Sequence, residues 1–232
     1  MQKFSKSLFA SAAFAALAMA APASAQVNGV ATVDAAMAIA ASQARGSAYQ
    51  QIATTYASQY EALRTGQQEL STLSKQLDTN NDNQVSDEEL AAAQAAKNPV
   101  LQQIQAKQAQ VATAEAPIVR AQLYALEQIL AQYSPALQQV ISDKNIGVIL
   151  SPDAFIYYPQ TADVTGAVIE VLNTRVPVVS AAAPADWQPQ RATVNLRQQV
   201  QEVLVVAMLQ QQQAQQQGQQ PAAPAAQMPE GR

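Results

Sequence analysis

The sequence predicts an α+β protein: a small β-sheet body formed from both ends of the mature chain, with a long antiparallel α-helical, coiled-coil hairpin as an arm between them. Three features predict it. First, 49 Ala and 37 Gln fill over a third of the 232 residues, while aromatic residues make up 5%. Straight-chain residues and Ala lose little rotamer freedom in a helix, so long helices are favoured over a large compact core. Second, two apolar series at heptad spacing are separated by a single polar stretch, Asp78 to Asp87. Third, short β-like runs lie near both ends, at Val30–Val33 and at Val148–Leu150 with Phe155–Tyr158.

Residues 1–25 read as a secretory signal peptide. Lys3 and Lys6 precede an apolar run, Leu8 to Ala21, which ends in the small-x-small pattern Pro22-Ala-Ser-Ala25,. The alternative, a membrane anchor, needs about 20 apolar residues, and this run is shorter. Cleavage after Ala25 makes the chain a secreted protein. It leaves 11 basic against 17 acidic residues, a net charge of −6. Bulk charge therefore does not favour nucleic acid. The chain has no His and no Cys, which removes thiol and imidazole chemistry, disulfides and the usual zinc ligands. It also lacks a strand-nested nucleophile motif and a phosphate-binding glycine loop, so neither an enzyme nor a nucleotide is expected.

The elements follow in order. Val30–Val33 is a strand too short to stand alone, and an Ala-rich helical stretch follows it. From Tyr49, the residues Ile52, Tyr56, Leu63, Leu70, Leu73 and Leu77 fall at heptad steps, with Gln59 and Gly66 at the two vacant seam positions,. Leu101, Ile104, Val111 and Ile118 form a second series, continued one residue out of phase by Val119, Leu123, Leu126, Leu130, Tyr133, Leu137 and Val140. At a rise of about 1.5 Å per residue, helices from roughly 35 to 77 and from roughly 87 to 143 would be rods about 65 and about 85 Å long. A hairpin with residues 78–89 at its tip is the simplest arrangement; three shorter helices of a compact bundle are the alternative. Pro99, Pro117 and Pro135 should kink or break the second rod, because each removes a helical donor and crowds the preceding turn.

Beyond Lys144, Asn145-Ile-Gly147 is a helix stop, and Val148–Leu150 and Phe155–Tyr158 fit a β-hairpin around the turn Ser151-Pro-Asp153. A short helix, Ala167 to Leu172, follows, with Asp163 or Thr165 as its cap and Asn173 as its end. The organisation is thus a body of residues 26–36 and 144–173, an arm of 37–143, and an extension of 174–232. Residues 174–190 are Ala-rich and interrupted by Pro. Residues 191–213 have helical spacing, and about 15 final residues rich in Gln, Pro and Ala read as a disordered tail.

The tip follows the twelve-position EF-hand register. Asp78, Asn80 and Asp82 take positions 1, 3 and 5, Gln84 offers a carbonyl at 7, Ser86 stands at 9 and Glu89 supplies the carboxylate at 12,. Calcium needs six to eight oxygens in flexible geometry, and alternate residues of a tight loop supply them. Asn83 stands where Gly is usual; Asn is the non-glycine residue most tolerant of positive φ, so the turn stays accessible. The expected cofactor is calcium, bound at a Kd near about 10⁻⁴–10⁻³ M, pinning the tip. The alternative is a polar tip whose acids are simply solvated.

The order of these parts resembles the Skp/OmpH family of periplasmic chaperones. The segments that carry the resemblance are Val30-Ala-Thr-Val-Asp34, the helical hairpin, Ala136 through Leu150, Phe155-Ile-Tyr-Tyr158 and Asp163-Val-Thr-Gly through Asn173. The resemblance implies a homotrimer whose strands form a β-barrel body and whose arms enclose a cavity for unfolded outer-membrane β-barrel proteins. It implies a holdase working without ATP. Candidate client contacts are the arm residues Tyr56, Tyr60, Leu63, Leu101 and Ile104, which as heptad residues also suit the seam between helices. Arms of the family are often basic; the acidic charge here does not favour lipopolysaccharide or membrane surfaces. An envelope scaffold assembled through the coiled coil and Gln-rich tail is the alternative function, and a calcium buffer a third.

Overall fold

A computed structural model describes residues 29–218; the expected signal peptide and the end of the Gln-rich tail lie outside the described residues. β1 (Val30–Thr32) leads into α1 (Ala35–Ala40), α2 (Gln43–Thr55) and α3 (Ala57–Lys75). The rod expected from 35 to 77 is therefore broken twice. Ser42 takes extended geometry and accepts the Arg45 amide as the N-cap of α2, as Asp34 accepts the Met37 amide for α1. Short polar side chains offer the backbone this competing bond, which makes them helix starters rather than helix interiors. At Tyr56 the backbone leaves helical geometry (φ −106°, ψ 27°) with no side-chain cap.

The second rod is split as well, into α4 (Asp87–Ala95) and α5 (Pro99–Lys144). Lys97 takes a positive φ of 51°, and Asn98 then caps α5 through the Val100 amide. Pro99 opens α5, a position where its missing donor has no helical partner in any case. The break expected at Pro99 is thus present, whereas Pro117 and Pro135 lie inside α5, which runs on through both.

β2 (Val148–Leu150) pairs with β1 in parallel, in the register Val30↔Val148, Ala31↔Ile149 and Thr32↔Leu150. The β-hairpin expected over 148–158 does not form. Pro152–Ala154 is a 3-10 turn, and residues 155–158 carry no strand. The competing interaction is local to β1: the Gly147 amide reaches the Gly29 carbonyl (2.8 Å), and a Cβ on either glycine would sit 3.4 Å from the other's backbone. Asn145 (φ 52°) turns the chain into this approach, with the Ile146 amide returning to the Ile141 carbonyl. α6 (Thr165–Arg175) is tied back to the start of the chain. Its Thr165 hydroxyl accepts the Asp34 amide (3.0 Å), Asp163 accepts the Thr165 amide (2.8 Å), and Asn173 accepts the Gln43 amide (2.8 Å).

α7 (Arg191–Gly218) completes the body. Its Leu196 and Val200 are buried in one core with Ile39 of α1, Leu126, Ile129 and Val140 of α5, and Val168 and Leu172 of α6. Each such side chain contributes about 1.5–3 kcal/mol on burial. Two smaller clusters lie along the arm: Ile52 with Ile118 and Ala121, and Leu77 with Ala93 and Val100. Between them Gly66 faces Val111, and Glu69 pairs with Lys107. Partner numbers on α5 fall as those on α2 and α3 rise.

Candidate functional site

At the tip, α3 and α4 flank the loop with the EF-hand register. The Asp78 carboxylate accepts three successive amides, those of Asn81 (2.6 Å), Asp82 (3.2 Å) and Asn83 (2.8 Å). Asn80 accepts the Asp82 amide and Asp82 accepts the Gln84 amide, so the chain coils around positions 1, 3 and 5. Asn83 adopts φ 65°, the left-handed conformation that its place in the register requires, and Asn81 does the same at 62°. Asn80 Nδ2 donates to Asp82 (3.0 Å), so these two side chains meet.

Glu89 is turned to another task. Oε1 accepts from the Thr79 amide and hydroxyl (both 2.6 Å) and from the Asn80 amide, while Oε2 accepts the Ser86 amide (3.0 Å). Ser86 in turn caps α4 through the Glu89 amide, a reciprocal capping box,. Hydrogen bonds from Thr79 and Ser86 hold the Glu89 carboxyl at a pKa of about 2,. Among the described residues, no group of three or more acidic side chains converges as a metal site. Fit to a cation is therefore partial: Asp78, Asn80 and Asp82 are gathered, and Glu89 is held by backbone donors.

Of the expected client contacts, Tyr56 and Leu63 pack against the Ile52 cluster, and Leu101 and Ile104 against the Leu77 cluster. These four sit in the seam. Tyr60 is exposed on the arm surface.

Sequence reading missed a second constellation, at the base of the arm. Residues 176–190 run as a strap over α5 and are anchored by Glu127. Its Oε1 accepts the Trp187 indole N–H (3.0 Å), and its Oε2 accepts the Gln190 amide (3.0 Å) and the Thr193 hydroxyl (2.9 Å). Burial works against the Glu127 carboxylate, but these three donors outweigh it and hold its pKa below the usual range. Trp187 also packs edge-on against Tyr124 (5.1 Å between ring centres), under the Arg120 guanidinium at 5.5 Å. A sole tryptophan among prolines was the available signal; a Pro-interrupted run looks like a linker until its partners are known.

The fold and these sites define a class: a mostly helical protein whose small two-stranded parallel sheet carries a long helical excursion. Residues 29–172 match the family described as outer membrane protein (OmpH-like), and the chain belongs to that family. A solved OmpH-like protein from Caulobacter crescentus, named as a candidate outer membrane chaperone, is 20% identical, with a TM-score of 0.41 over 70% of this chain and 90% of that one. No curated protein matches. The strap and α7 lie beyond the matched residues.

Proposed function

We propose that the chain is a periplasmic holdase chaperone that binds unfolded outer-membrane β-barrel proteins without ATP. Membership of the OmpH-like family over residues 29–172, which hold both strands and the whole arm, is the observation that carries this reading. The arm acts as an antiparallel coiled-coil hairpin, and three copies assemble through their bodies so that the arms surround the client. Two features support assembly. A sheet of two three-residue strands is too small to be stable alone,. Beside it, Ile156 and Tyr157 stand 108% and 82% exposed, apolar surface that a monomer would not leave in water,. Client contact is diffuse, Tyr60 offering the exposed aromatic on the arm, and no residue acts as a catalyst. No described helix is long and apolar enough to cross a membrane.

Calcium at the tip is part of the same proposal. Asp78, Asn80 and Asp82, with the Gln84 carbonyl and Ser86, would ligate it, and Glu89 would exchange its backbone donors for the ion. The ion would supply charge neutralisation and rigidity at the tip. Calorimetric titration with calcium chloride, with magnesium as control, should give a weak, saturable heat that Asp78→Ala abolishes.

The chaperone reading is tested by diluting a urea-denatured outer-membrane β-barrel protein into buffer with the mature chain, without nucleotide, while light scattering is followed. Suppressed aggregation at one assembly per client is the expected result. Unchanged aggregation by the folded protein, or its growth into filaments, would overturn the reading in favour of a scaffold.

A further inference from the structure

An extended segment must satisfy its N–H and C=O groups on something other than itself. Within residues 176–190 one backbone bond closes, from the Trp187 amide to the Pro184 carbonyl (3.1 Å). Side chains of α5 supply further partners. Gln128 pairs with Ser180 through both ends of its amide, Nε2 donating to the carbonyl (2.9 Å) and Oε1 accepting the N–H (3.1 Å). Arg120 Nη2 donates to the carbonyls of Pro184 and Ala185, the latter at 3.0 Å. Neither set of hydrogen bonds reads a strap side chain; the side-chain contact of this ridge is Trp187, against Arg120 and Tyr124. Arg120, Tyr124 and Gln128 are spaced four apart and so form one ridge of the helix. Beside the ridge, Ala181 fills a small apolar socket made with Ile52, Ile118 and Ala121.

A surface that grips main chain, with one small apolar socket and one aromatic contact beside it, suits recognition of unfolded polypeptide of varied sequence, because backbone donors and acceptors recur in every sequence. We propose that this ridge of α5 is a binding site for extended polypeptide, that residues 176–190 occupy it in cis as an internal stand-in for a client, and that an unfolded chain enters by displacing them. The inference rests on the client-binding reading above and adds to it a site and its control. Held between α6 and α7, the strap competes as a tethered ligand, at an effective concentration near the millimolar range typical of short linkers. The ridge lies within the family match and the strap beyond it, so the control is a property of the extension.

A fluorescein-labelled synthetic peptide of residues 176–190, titrated into the full mature chain and followed by anisotropy, tests this. Trp187→Ala weakens the strap's hold by removing one of the three donors to Glu127 and the aromatic contact with Tyr124, and it leaves every ridge side chain unsubstituted. The peptide should bind W187A at least about tenfold more tightly than the wild type, because apparent affinity scales with the open fraction. Adding Arg120→Ala and Gln128→Ala should remove that gain. Equal or weaker binding to folded W187A overturns the proposal. The wild type supplies a check independent of any folding defect, since Trp187 is its sole tryptophan. An unlabelled peptide carrying Trp187→Phe should move the protein's emission to longer wavelength as the indole leaves Tyr124 and Glu127. Emission unmoved up to millimolar peptide overturns the proposal too. Peptide exchange without suppressed aggregation of a barrel protein would sink the holdase reading and keep the site. Suppressed aggregation with identical peptide binding by wild type and W187A would do the reverse.

Discussion

Lys97 shows how much a single backbone position can decide. Its amide reaches the Gln94 carbonyl (3.0 Å) and the Asn98 amide reaches Ala93 (2.9 Å), the paired bonds that end a helix through one left-handed residue,. Lysine holds that conformation against a Cβ clash, and its side chain is exposed. Lys97→Gly should therefore stabilise the protein by about 0.5–1 kcal/mol, read as a raised urea midpoint at unchanged slope. Asn83 was legible in the sequence for the same physical reason, since Asn tolerates positive φ. The capping role of Glu89 was not, because a carboxylate at position 12 of the register reads as a ligand and the sequence does not show its Thr79 and Ser86 donors. Its depressed pKa, about 2 against an ordinary 4.5, means that the charged form is favoured by folding. The stability it gives is complete above the ordinary value and is lost as pH falls toward about 2,. Amide protection factors in α4 should fall across that window in the wild type, and Glu89→Gln should already show the low protection at neutral pH.

At the scale of elements, the arm depends on how closely α3 approaches α5. A Cβ on Gly66 would lie 2.6 Å from Val111 Cγ2, so this seam position is filled from across the interface. Gly66→Ala should cost about 1–3 kcal/mol by overpacking. Val111→Ala in the same chain should recover part of the loss, a coupling that a double-mutant cycle of urea denaturation would measure. The vacant heptad position at Gly66 was readable as a gap, but not as a close approach. The heptads located α2, α3 and α5, since side-chain periodicity reports which face is buried. They missed the breaks at Ser42 and Tyr56. Ser42 carried a capping signal hidden in an Ala-rich run; Tyr56 carried none, since it leaves the helix with no side-chain cap and packs against Ile52 and Ile118. The β-hairpin failed for a related reason: alternation marks strand-like residues without naming their partner, and β1 takes β2 from a distance of 118 positions along the chain.

For the whole molecule, what was legible was a chain mostly of helices with short strands far apart along it; what was not was that α7 packs into the core shared by α1, α5 and α6. Leu196 and Val200 have helical spacing, yet only the fold reveals Ile39 and Leu126 as their neighbours. The exposed apolar residues beside β2 set the prediction at this scale. Ile156→Asp should reduce the assembly to smaller species in multi-angle light scattering while leaving helical circular dichroism intact. A monodisperse wild-type monomer would contradict the proposed trimer directly. The most direct measurement of the central claim is the mass of the soluble species formed when a denatured outer-membrane β-barrel protein is diluted into the mature chain without nucleotide. Sedimentation should find one client held by three copies of the chain. Free chain beside pelleted client would contradict a holdase.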